Sequence, residues 1–191
     1  MNYLAHLFLA DKTPESLLGN LAGDFVKGAL GERFTPGIRQ GIMEHRRIDE
    51  FTDTHPSIAA LRRVIGAEHG HYSRVIGDMF LDHFLSWDWD HYSLENRDEF
   101  LRRIFGTLDP LIDEMPGRLR FVYPRMRDGR WLHSYIDPRG IETALRNLSH
   151  RFSREPHLET ATHLLEDARE TLLAHSREFF PDVIAFAKRL R

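Results

Sequence analysis

Cysteine is absent from the 191 residues. The chain therefore has no disulfide framework, no thiolate nucleophile and no cysteine-containing zinc site. Lysine is almost absent: of 26 basic residues only three are Lys and the rest are Arg. A GC-rich genome produces that bias, and so does a need for anion recognition, because guanidinium forks match phosphate and carboxylate. Long apolar runs are missing as well. The stretch Leu7–Ala10 near the start is far short of the ~20 residues of a membrane span. The opening residues Met1-Asn2-Tyr3-Leu4-Ala5-His6 carry neither a basic region nor a small-residue cleavage site. No signal peptide and no membrane association are expected, and the expected compartment is the cytoplasm. Excess charge is missing too: 26 basic against 29 acidic residues leave −3, so nucleic acid is not an expected partner.

The rest of the composition is that of an ordinary globular chain, 41% apolar and 29% charged. No repeat, low-complexity tract or linker interrupts it, and residues 1–191 read as one domain. Apolar periodicity is helical nearly throughout. Thr13-Pro14-Glu15 and Thr35-Pro36 are helix starts, each a capping hydroxyl followed by proline at the first helical position. The first helix is expected to run to about Leu30 with Gly31 as its cap, and the second to end before Pro56. Further helices are expected over Pro56–Ile65, Tyr72–Trp87, Leu94–Met115, Pro138–Arg151 and His157–Leu190. Pro110 and Pro181 should end or kink theirs. Residues 117–136 read as irregular or helical. The fold class is all-α, an irregular helical bundle.

The informative anomaly is polar residues on core-facing rows. One row reads Leu17, Leu21, Asp24, Gly28, and another reads Ile38, Ile42, His45, Asp49, with Asp53 a turn later. Asp78 and Asp82 share a face beside Leu81 and Leu85, with His83 adjacent, and His6 follows Asn2 by one turn. Singly, each has an ordinary explanation as a hydrogen-bonded core residue, a helix cap or half of an ion pair. Burying so many without partners would cost several kcal/mol apiece, and the pattern recurs in three helices. Convergent inward His and carboxylates build metal sites in helical bundles, and this ligand mixture suits Mn²⁺, Fe²⁺, Mg²⁺ or Zn²⁺.

Arg46 and Arg47 follow His45 directly. Beside a metal, guanidinium groups neutralise charge developing on phosphoryl oxygens; otherwise they pair with Asp49 or Glu50. The glycines of Gly19-Asn20-Leu21-Ala22-Gly23-Asp24 follow no strand, so they read as sites of close helix packing or close ligand approach. His-Glu-x-x-His, P-loop and Gly-x-Ser-x-Gly signatures do not occur. Charge is also segregated. Residues 78–115 sum to −7, and residues 117–154 hold nine Arg against three acids, +6. That basic stretch, interleaved with aromatics, is either a solvated surface or a docking face for an acidic partner.

Asn2-x-Leu4-Ala5-His6, Gly19-Asn20-Leu21 with Asp24-Phe25-Val26-Lys27-Gly28, His45-Arg46-Arg47-Ile48-Asp49 with Thr52-Asp53, and Asp78 with Asp82-His83-Phe84-Leu85-Ser86 together resemble the bacterial acyl carrier protein phosphodiesterase family. The resemblance implies hydrolysis of the 4′-phosphopantetheine–serine diester of holo-acyl carrier protein, with Mn²⁺ and an HD-domain-like helical fold. HD enzymes carry His-Asp, whereas here the order is Asp82-His83, so ligand roles do not transfer position by position. The expected metal ligands are Asp24, His45, Asp49, Asp82 and His83. Arg46 or Arg47 is expected to hold the phosphoryl group, and Asp78 or His6 to position water or supply a proton. Holo-acyl carrier protein is expected to dock on 117–154. An HD-like nucleotide hydrolase acting on (p)ppGpp and a non-enzymatic helical adaptor are the alternatives.

Overall fold

The computed structural model of the chain describes residues Met1–Leu190. It is all-α, with no strand among the described residues. In chain order the helices are α1 (Tyr3–Leu9), α2 (Pro14–Ala22), α3 (Pro36–Thr54), α4 (Pro56–His69), α5 (Ser73–Trp87) and α6 (Trp89–Tyr92). They continue with α7 (Arg97–Leu108), α8 (Gly117–Asp128), α9 (Trp131–Ser134), α10 (Pro138–Ser149), α11 (Leu164–Asp167) and α12 (Arg169–Arg189). Short 3₁₀ turns cover Gly23–Phe25, Gly70–Tyr72, Asp109–Glu114 and Leu158–His163. No described helix is long and apolar enough to cross a membrane.

The start signals act as read. The Thr13 hydroxyl accepts from the Ser16 amide and the Thr35 hydroxyl from the Ile38 amide, with proline first in each helix. Other boundaries differ from expectation. The first capped helix stops at Ala22 and passes into a 3₁₀ turn, instead of running to Leu30. Pro110 does end α7, at Leu108, and a 3₁₀ turn follows. Residues 117–136 are largely helical, as α8 and α9. The last expected helix splits: α12 begins at Arg169 and then continues through Pro181 to Arg189.

The buried apolar residues form one core to which every region contributes, from Leu4 and Leu7 to Phe179, Phe180 and Val183. Within it α2 crosses α3 almost backbone to backbone. A Cβ on Gly19 would lie 2.5 Å from the Ile38 carbonyl oxygen and 2.7 Å from Gly41 Cα. Those atoms belong to the main chain and have no side-chain freedom with which to yield. Gly19→Ala is therefore expected to destabilise the protein by about 2–3 kcal/mol, despite alanine's better helix propensity. Denaturant unfolding checks this, and a midpoint equal to the parent's would show that the two helices can separate freely. The close crossing matters for function because α3 carries His45 and Asp49 on the side facing the end of α2.

Candidate metal centre

Three elements meet around His45. α3 supplies His45 and Asp49 one turn apart, α1 supplies His6, and the 3₁₀ turn after α2 supplies Asp24. His45 Nε2 lies 3.2 Å from Asp49 Oδ2 and 3.4 Å from Asp24 Oδ1, and His6 Nε2 lies 3.0 Å from Asp49 Oδ1. The two imidazoles stack, with centroids 3.7 Å apart. One ligand atom from each of His6, His45 and Asp49 falls within 4.8 Å of the other two.

Local geometry fixes the donors. His45 Nδ1 sits 2.8 Å from the Asn20 carbonyl oxygen and must donate to it, which turns Nε2 toward the carboxylates. The ring has room there because residue 23 is glycine: a Cβ would overlap the His45 imidazole. Burial opposes charge on His45, but hydrogen bonds to Asp24 and Asp49 outweigh it and lift its pKa to about 9. His6 goes the other way, to about 4, through burial and the neighbouring His45 charge. Burial also opposes ionisation of Asp49 and Asp24, yet the imidazoles hold both below the ordinary carboxylate range. With no metal the site is thus a cationic His45 clamped by two carboxylates against a neutral His6. Two imidazole nitrogens and two ionised carboxylates are a donor set that fits a divalent cation, which would replace the His45 proton.

A second layer holds the first. The Met1 α-ammonium, buried, lies 3.3 Å from Asp49 Oδ1 and 3.4 Å from Asp78 Oδ1. Arg62 bridges Asp78 at 3.4 Å and Asp53 at 3.0 Å, and Arg74 pairs with Asp53 as well. Asp53 is thereby a structural carboxylate, satisfied by two guanidinium groups.

Two expected ligands stand elsewhere. Asp82 is fully buried, with its oxygens 2.9 Å and 3.1 Å from the Leu4 and Ala5 amide nitrogens, from which they accept. It caps α1, a service that Asn2, at the capping position, does not perform. His83, also fully buried, has Nδ1 2.8 Å from the Tyr135 carbonyl oxygen and ties α5 to the α9–α10 junction. Neither belongs to the His6–His45–Asp49 group. Arg46 donates to the Val26 carbonyl at 2.9 Å, and Arg47 is exposed and makes no described ion pair. Periodicity marked all of these as inward or nearby but not which neighbour each one meets. The Asn20 carbonyl and the Gly23 clearance carry no side-chain signal, although the glycine itself was visible beside Asp24.

A cleft of about 320 Å³ opens between α1, α5, α8 and α10; Asp24 is the cluster's member that lines it, and Asp78 lines it too. A family model described as acyl carrier protein phosphodiesterase matches residues 1–183. The chain belongs to that family. Among its curated relatives, each named acyl carrier protein phosphodiesterase, the protein of Yersinia pestis is 31% identical over 189 residues, covering 98% of either chain. That of Serratia proteamaculans is 31% identical over 192 residues, again 98% of both. That of Escherichia coli K12 is 32% identical over 190 residues, 99% of this chain and 98% of the relative. No solved structure matches the chain. Membership in this phosphodiesterase family makes the chain an enzyme. The matched range contains all four members of the cluster: His6, Asp24, His45 and Asp49.

Proposed function

We propose that this single-domain protein is a cytoplasmic, metal-dependent phosphodiesterase. It hydrolyses the bond between 4′-phosphopantetheine and the serine of holo-acyl carrier protein, releasing the apo form. The observation that supports this most is the His6–His45–Asp49 cluster with Asp24, the last of which lines an open cleft, in a chain of this family. An HD-like architecture is part of the proposal.

His6 Nε2, His45 Nε2, Asp49 and Asp24 would hold the cation, Mn²⁺ in preference to Mg²⁺ or Fe²⁺. When bound, it supplies Lewis acidity toward water and phosphoryl oxygen. The chain's own residues do the rest. Asn20 fixes the His45 tautomer. Asp24, ionised and 46% exposed, faces the cleft and can accept the proton of the attacking water. Asp78, pinned by the Met1 ammonium and Arg62, orients that water from the opposite side. The water oxygen bonds to phosphorus, the phosphorus–serine oxygen bond breaks, and the serine oxygen leaves with the proton that Asp24 took from the water.

The basic stretch 117–154 is the proposed docking face for the acidic carrier. Arg120, Arg127 and Arg146 are already paired with Asp113, Asp109 and Asp128, and Glu142. Arg125, Arg130, Arg139 and Arg154 have no carboxylate partner among the described residues, and their attraction should weaken with salt.

Incubation with holo-acyl carrier protein, read by intact mass, tests the activity. Conversion to the apo form is expected with Mn²⁺ and its loss after exhaustive chelation. Undiminished turnover in the chelated sample would falsify the metal mechanism.

A further inference from the structure

Two arginines in the basic stretch differ from the others in position. Arg118 near the start of α8 and Arg151 just beyond α10 both line the cleft that Asp24 and Asp78 also line. Neither has a carboxylate partner among the described residues, whereas Arg62, at the other side of the cluster, is occupied by Asp53 and Asp78. Both guanidinium groups act on the Tyr3 phenol, opposing burial and the Asp24 carboxylate, which together raise its pKa. Tyr3 lines the same cleft as the two arginines and Asp24, and its ring stacks on Phe25 at 6.1 Å. Two unneutralised forks beside a candidate metal centre are an incomplete anion site.

The remainder of the cleft is differently built. α10 turns one face to it, with Gly140, Thr143, Ala144, Asn147 and Leu148 at helical spacing. Thr143 and Asn147 offer hydrogen bonds, Ala144 and Gly140 leave space, and Trp131 across the cleft supplies an apolar wall. Such a surface suits an extended, uncharged chain bearing amides, and the volume is in the range of small-molecule pockets.

We propose that Arg118 and Arg151 hold the phosphoryl oxygens of the substrate, and that its uncharged arm lies along the α10 face of the cleft. Arg46 and Arg47 do not line it. The inference rests on the proposed activity for the identity of the arm, 4′-phosphopantetheine, but it can be tested by binding alone.

Calorimetry in the presence of Mn²⁺ would compare 4′-phosphopantetheine, pantetheine without phosphate, and inorganic phosphate. The parent should bind 4′-phosphopantetheine most tightly. Arg118→Met and Arg151→Met should each weaken it about tenfold and together about 100-fold, as loss of charge-assisted bonds predicts. Lysine at either position should restore part of the loss, which a merely structural role would not show. Pantetheine affinity should be unchanged in the double variant. Ala144→Trp, which fills the cleft, should weaken pantetheine and 4′-phosphopantetheine alike but not inorganic phosphate. Mn²⁺ affinity, measured separately, should be that of the parent in every variant. A double variant that binds 4′-phosphopantetheine as tightly as the parent overturns the assignment, as does an Ala144→Trp protein with full binding. Parental turnover of holo-acyl carrier protein without any 4′-phosphopantetheine binding would overturn the cleft assignment and leave the activity standing. Arginine-dependent binding without turnover would do the reverse.

Discussion

His45→Ala is expected to lower kcat/KM for holo-acyl carrier protein by at least about 10³-fold, roughly 4 kcal/mol of transition-state stabilisation. His45 is the one side chain in contact with both Asp24 and Asp49, and its ring is the stacking partner of His6. Removing it deletes a nitrogen donor and also leaves two carboxylates facing each other with no cation between them. Mn²⁺ affinity should fall by more than about 100-fold, since loss of an outer-shell partner alone costs 10–100-fold. Asp49→Asn should behave similarly, because Asp49 is the anion shared by His6, His45 and the Met1 ammonium. Stability should fall as well, by about 3–5 kcal/mol for His45→Ala, because a buried charge partner is lost, so the kinetics are to be read on protein shown to be folded. Steady-state kinetics and Mn²⁺ titration together check this. Near-parental turnover and metal binding in either variant would remove that residue from the centre.

Asp82→Ala should give the opposite pattern. It leaves the Leu4 and Ala5 amides without acceptors in a fully buried position, a loss on the order of 2–5 kcal/mol. The protein that remains folded should bind Mn²⁺ with parental affinity, which a ligand role for Asp82 would forbid. A pH signature accompanies this. Burial raises the Asp82 pKa to about 7, against the pull of the two amides. The unfolded value is about 3.9. Between those values the folded protein holds more protons than the unfolded chain. Its stability should therefore fall as pH rises from about 4 to about 7, by a few kcal/mol, a slope that Asp82→Asn should lack. Urea unfolding at pH 5 and pH 8, with chelator present, measures it; equal slopes in parent and Asn variant would contradict the assignment.

Much of this was readable from residue order. Capping hydroxyls and N1 prolines placed the starts of α2 and α3 because those signals are local and stereochemical. The end of α2 lies earlier than the apolar spacing implies: Gly23 and Gly28 are weak helix formers, Gly28 adopts a positive φ of 74°, and the chain passes into a 3₁₀ turn at Gly23–Phe25. The same division holds at the site. Helical periodicity put Asp24, His45 and Asp49 on inward rows, and the structure brings those three together. Periodicity also put Asp82 inward, but a period gives a direction and not a destination. Asp82 points at the amides of α1, whose recruitment of a distant carboxylate leaves no trace in its own sequence. The arginine pair beside His45 drew attention through adjacency. In three dimensions the unpaired cleft arginines come from the far half of the chain.

The capping of α1 has a kinetic side. A helix of seven residues with no cap of its own does not persist in isolation. Its missing acceptor lies 78 residues downstream, on α5. α1 is therefore completed only when α5 packs against it. His6, carried by α1, is thus held at the centre through a contact that α5 makes. In the mature protein α1 is buried along Leu4, Ala5, His6 and Leu7, so its amides should exchange with solvent deuterium only when its contact with α5 also opens, and Asp82→Ala should speed that exchange.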